Sequence, residues 1–149
     1  KSENTTLTML KHIGAATHMV GKRVFTETDV TKILTKAPPG CLVLWKSLRS
    51  DTRGLPLIKI LAEGSDIIPA EFQFVHKSFQ EYVFASRLIY EPNFCTDFDV
   101  GTFLNDDNNR NTIAIGGSEL ADVLLRGNKK LNMKIDRHAG IDALLVLCP

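Results

Sequence analysis

The stretch from Phe72 to Leu88, FQFVHKSFQEYVFASRL, limits what this chain can fold into more than any other part of it. Phe72 and Phe74 fall on one side of an extended segment and Gln73 and Val75 on the other, which predicts a short strand. At His76 the alternation stops. Ser78 followed by Glu81 has the spacing of a capping box and predicts a helix that opens at Ser78. Phe79, Tyr82, Val83 and Leu88, with Ala85 and Ser86 as small fillers, then supply an apolar stripe at about helical period. A period-two segment running into a helical one leaves no room for a loop, so His76 is held on both sides at an element boundary. The aromatics Trp45, Phe72, Phe74, Phe79 and Tyr82 stand at strand and helix spacing and are expected in the core.

Upstream, Leu7, Leu10, Ile13, Ala16 or Thr17, and Val20 recur at three- and four-residue steps and predict a helix over Thr6–Val20, with Gly21 in the C-cap position. Val24-Phe25 reads as a short extended piece. Thr26 and Asp29 repeat the capping-box spacing and open a second helix through Val30, Ile33 and Leu34, which Pro38-Pro39-Gly40 ends. A third helix is predicted over Leu42–Arg49, with Leu44, Trp45 and Leu48 inward. After a turn at Asp51–Gly54 the pattern changes to period two through Leu55, Leu57, Ile58, Ile60 and Leu61, with Pro56 near the start of the strand. Glu63–Ala70 is a polar loop, and Phe72–Val75 returns as the partner strand. The expected fold is thus mainly α with a small antiparallel β-hairpin, in winged-helix order over residues 1–91. Glu91-Pro92-Asn93 marks a boundary. Short helices are predicted beyond it over Thr112–Ile115, Ser118–Arg126 with Ser118 as cap, and Arg137–Leu147.

The matching positions Phe72, Phe74, His76, Ser78, Phe79, Gln80, Glu81, Tyr82 and Ala85 resemble the F-x-F-x-H-x-S-F-Q-E-Y/F box that closes the winged-helix domain of NACHT-type STAND NTPases, the NOD-like receptor class. The resemblance is strong over Leu55–Leu88. It extends by element order to about residues 5–91, and by position to residues 92–149 as the start of the following helical subdomain. It implies that His76 reaches the β-phosphate of ADP bound on a separate NTPase core of the same parent chain. It also implies a switch that autoinhibits in the ADP state and self-oligomerises on exchange to ATP. An imidazole N–H is chemically suited to that contact, because it donates well to a phosphate oxygen.

This chain itself offers no nucleotide-hydrolysing machinery. Gly14 to Gly21-Lys22 superficially suggests a phosphate loop, but six residues separate the glycines instead of four, and Arg23 stands where Ser or Thr would bind Mg2+. A Walker B run is absent too, so ADP or ATP and any Mg2+ are expected on the parent's core. His12, His18 and His138 share no metal spacing. Cys41, Cys95 and Cys148 fit neither a disulfide framework nor a zinc site, and reduced core thiols in a cytoplasmic protein are expected.

The alternative function is a nucleic-acid-binding winged helix using the Leu42–Arg53 region, with Lys46, Arg49 and Arg53 on phosphates and Ser47 and Ser50 near the bases. Net charge disfavours it. The 149 residues carry a formal charge of only +1, which leaves little counterion release to drive binding. Apolar runs are far shorter than the ~20 residues of a membrane helix. The opening KSENTTLTML has no signal-peptide core and no initiator Met, which suggests an internal piece of a longer protein.

Overall fold

The computed structural model describes residues 4–95 and 99–127. The helix predicted over Arg137–Leu147 lies outside them. The chain divides into two compact units, one ending at Val83 and the other beginning at Phe84.

In the first unit the order is α1 (Thr5–Met19), β1 (Val24–Thr26), α2 (Glu27–Thr35), α3 (Cys41–Ser50), β2 (Ile58–Ala62), β3 (Glu71–Phe74) and the start of α4 (Lys77–Tyr90). This is the winged-helix order, mainly α with a small antiparallel sheet. The predicted hairpin is one strand short. Val24–Thr26 pairs antiparallel with β3 on the side away from β2, so the sheet runs β1-β3-β2 with β3 in the centre. A three-residue strand has too few residues to show an alternation.

Alternation along β3 turns Phe72 and Phe74 inward, both fully buried. Phe25 lies opposite Phe72 on β1, and its ring stands 6.1 Å from Phe72 and 5.8 Å from Phe74. Trp45 of α3 meets Phe72 edge-on at 5.1 Å. Met9, Leu10, Ile13, Val30, Leu34, Cys41, Ile58 and Val83 complete this core, and Phe79 packs against it half-buried. Cys41 is buried and forms no disulfide among the described residues.

Capping is as expected at α2. The Thr26 hydroxyl accepts from the Asp29 N–H at 3.2 Å, and the Asp29 carboxylate accepts from the Thr26 N–H at 2.9 Å. Burial alone would raise the Asp29 carboxyl. The Thr26 hydrogen bonds and the Lys22 ammonium at 2.9 Å outweigh it and hold the group below the usual aspartate range.

Three expectations about faces need correction. In α1, Leu7 and Val20 are exposed, while Met9, Lys11 and Ala15 are buried beside Leu10 and Ile13, because this central helix is covered on more than one face. In β2 only Ile58 is buried. Ile60 pairs with Phe72 and Ala62 with Glu71, so Leu61 is an extra bulged residue and the period-two reading fails there. Tyr82 of α4 is 55% exposed, and Phe84, unassigned by the stripe, is 1% exposed instead.

In the second unit Phe84 packs edge-on against Phe94 at 6.3 Å and Phe103 at 5.9 Å. Phe103 belongs to α5 (Val100–Asn105), which the sequence pattern did not reveal; Asp99 caps it by accepting from the Gly101 and Thr102 N–H groups. The last described helix, α6 (Arg110–Gly127), is broken at Gly117, where φ is 55°. That left-handed residue separates two helical pieces that match the predicted Thr112–Ile115 and Ser118–Arg126.

One glycine is required by packing. A Cβ on Gly14 of α1 would collide with the Val83 Cγ2 of α4 and stand 3.4 Å from the Phe74 ring. Helix propensity favours alanine over glycine by about 1 kcal/mol, but overpacking a tight contact costs about 1–3 kcal/mol. Because Val83 is β-branched and cannot easily rotate away, overpacking should win. Gly14→Ala should therefore lower stability in a urea melt, and a more stable variant would show that Val83 yields freely.

Candidate functional site: the strand-to-helix elbow at His76

β3 ends at Phe74 and α4 begins at Lys77, so two residues make the turn. The helix is capped two residues earlier than the capping-box spacing predicts. The Phe79 N–H donates to the His76 carbonyl at 3.1 Å, which puts His76 at the cap position. Ser78 is an exposed residue of the first turn.

His76 is exposed, and its ring lies 5.6 Å from that of Phe79, tilted by 49°. Among the described residues no hydrogen bond engages its ring nitrogens. The backbone around it is held from several directions. The Val75 N–H donates to the Leu57 carbonyl at 2.8 Å, and Leu57 adopts a left-handed φ of 60° at the start of β2. Such a conformation is uncommon for leucine and survives only where its surroundings impose it. Arg23, just before β1, donates from Nη2 to the Phe74 carbonyl at 3.2 Å.

Gln80 and Glu81 were expected to serve capping and packing. Both are 2% exposed, and their partners lie elsewhere. Gln80 Nε2 donates to the Thr17 hydroxyl at 2.8 Å and to the Lys22 carbonyl at 3.0 Å. This binds the first turn of α4 to the end of α1. The Lys77 ammonium lies 3.6 Å from the Glu81 carboxylate. Burial pushes the Arg23 guanidinium below its ordinary value, against the opposing pull of the Glu81 carboxylate. The spacing of a sequence motif cannot reveal partners roughly sixty residues away, so this polar network could not be read from the motif alone.

The residues of the superficial phosphate loop are not brought together as one. Gly14 lies inside α1, and the Lys22 ammonium is bound by Asp29. Among the described residues no group of His, Cys, Asp and Glu is placed to hold a metal ion, and no helix is long and apolar enough to cross a membrane.

The residues assigned to nucleic-acid contact are mostly engaged. Arg49 pairs with Glu27 at 3.1 Å and Glu63 at 3.3 Å, and its guanidinium stacks over Phe72 at 4.9 Å. Glu27 also accepts from the Trp45 indole at 2.6 Å. Arg53 pairs with Asp51 at 2.8 Å, and hydrogen bonding to Arg53 lowers the Asp51 carboxyl to about 2. Lys46, Ser47 and Ser50 are exposed along α3. Lys46 and Ser50 border an open groove of about 690 Å3 between α2, α3 and the β2–β3 loop, but Glu27 and Glu63 line the same groove.

Comparison with family models, with curated proteins and with solved structures finds no match to this chain.

Gln80→Met keeps the bulk of the side chain and removes the donor to the buried Thr17 hydroxyl and the part-buried Lys22 carbonyl. It should cost about 1–3 kcal/mol in a denaturant melt. A loss below about 0.5 kcal/mol would mean that water replaces the amide and that Gln80 does not hold α4 to α1.

Proposed function

We propose that this chain is the regulatory winged-helix portion of a NACHT-type STAND nucleotide switch acting in the cytosol, with His76 as the sensor of the bound diphosphate. The nucleotide and its Mg2+ would sit on an NTPase core elsewhere in the same parent chain. The observation that carries the reading is the elbow itself: an exposed imidazole with unengaged nitrogens on backbone held by β1, by β2 and by the first turn of α4.

Such a group is pre-organised to donate to an anion that approaches from outside the chain, because ordering costs little at the moment of contact. A charge-assisted bond to a phosphate oxygen is stronger than a neutral one. If the contact forms with ADP and not with ATP, nucleotide identity is coupled to whether this domain stays docked, which is the differential affinity a switch needs. Release would swing the domain away as a body and uncover a surface for self-association. The nucleic-acid reading has less support, since Arg49 and Arg53 are already neutralised by carboxylates on the surface that would face a phosphate backbone.

Two outcomes test the proposal. By itself the chain should neither hydrolyse ATP nor bind ADP at micromolar concentration in calorimetry, because one donor without a phosphate cradle is insufficient. In the full-length parent, His76→Leu should leave folding intact and weaken ADP by about 1.5–3 kcal/mol. That is roughly ten- to a hundredfold in the closed-to-open equilibrium, read as oligomers formed without stimulus. Normal ADP affinity and a monomeric variant would remove His76 from the role.

A further inference from the structure

We infer that Arg23 is a positioning residue for His76, clamping the end of β3 through its hydrogen bond to the Phe74 carbonyl. The inference rests on the functional reading of His76 only for its consequence, and not for its geometry.

Arg23 stands 51 residues before Phe74 in sequence, yet its Nη2 donates to that carbonyl at 3.2 Å. Glu81, 2% exposed, is four residues beyond Lys77 and pairs with its ammonium at 3.6 Å. His76 therefore lies between a carbonyl held by Arg23 and a turn whose buried Glu81 carboxylate pairs with Lys77. The other guanidinium nitrogen, Nη1, is buried and finds no acceptor among the described residues. An unpaired buried donor is costly, and an apolar side chain of similar length would avoid that cost in a purely structural role. What arginine adds is a planar donor on a long stem that reaches the Phe74 carbonyl from the far end of the sheet's sequence. Gln80 ties the first turn of α4 to the residues just before Arg23, through Thr17 and the Lys22 carbonyl. The end of α1, the start of β1 and the elbow are thus coupled, and Arg23 is the member that touches the strand directly before His76.

The test uses the chain itself, by NMR. The His76 ring protons report on the neighbouring Phe79 ring, and amide exchange at residues 76–79 reports on the elbow. Arg23→Met should stay folded, with its melting point within about 8 °C of the wild type. Its His76 ring signals should move toward those of an unstructured histidine, and exchange at residues 76–79 should rise at least about tenfold relative to the remainder of α4. Arg23→Lys keeps the charge without the planar donor and should fall between the two. Unchanged His76 signals and exchange in a folded Arg23→Met would overturn the inference. Should Arg23→Met fail to fold, Arg23→Lys, which keeps the stem and the charge but not the guanidinium, is read in the same way, and an unchanged elbow again overturns it.

The parent protein separates this inference from the functional reading. Arg23→Met should weaken ADP, and combined with His76→Leu it should add nothing further, because both act through one contact. Fully additive losses would overturn the positioning role. If His76→Leu alone leaves ADP affinity unchanged, the sensor reading falls, while the elbow measurement still decides the role of Arg23.

Discussion

Burial of Phe72 and Phe74 on the central strand is the constraint from which the rest of the first unit follows. β3 is the central strand of the sheet, with neighbours on both sides, so its inward residues meet β1, α1 and α3 together. Phe72 touches Phe25 and Trp45, and the Arg49 guanidinium stacks on its ring. Phe74 touches Phe25 and approaches Gly14 of α1. Fully burying an aromatic side chain contributes about 1.5–3 kcal/mol, and edge-on pairs add about 0.5–1.5 kcal/mol each. A strand held so firmly delivers the next residue but one, His76, to a defined place.

Polar groups then refine what the apolar core sets roughly. α4 leaves the strand after two residues, its first turn is attached to the end of α1 by Gln80, and its buried Glu81 pairs with Lys77. Buried polar groups of this kind add little net stability when satisfied but penalise every arrangement in which they are not. They therefore select one orientation of the helix among several that the apolar contacts would tolerate. On the other side of the unit, Glu27 ties Trp45 and Arg49 to the start of α2, and Glu63 reaches the same arginine from the β2–β3 loop. Arg49, one of the two basic residues of α3, is thus spent on holding the fold together, which argues against its use on a polyanion.

Much of the architecture was legible because local rules and tertiary demands agree. Thr26 with Asp29, Pro38-Pro39-Gly40, and Phe72 with Phe74 each signal an element or its end through backbone and side-chain chemistry confined to a few residues, and each appears as expected. His76 at an element boundary was legible for the same reason. The capping position was misread by two residues, since a serine with a glutamate three residues on is compatible with a cap without requiring one. The chain folded the turn so that His76 caps the helix and freed Glu81 to go inward. Tyr82 and Phe84 were exchanged because the stripe rule assumes that polar residues face water, and here Gln80 and Glu81 do not.

What the sequence determined by itself was the order of helices and strands, the inward face of β3, and a histidine at the junction of β3 and α4. Periodicity, capping residues and turn formers act over distances shorter than the elements they define. What only the tertiary structure decided was the third strand, the bulge at Leu61, the left-handed Leu57, and the clamp of Arg23 and Gln80 on the elbow. Each of these depends on a partner brought close only after the chain has closed on itself, through contacts that lie tens of residues apart in sequence and so leave no local signature.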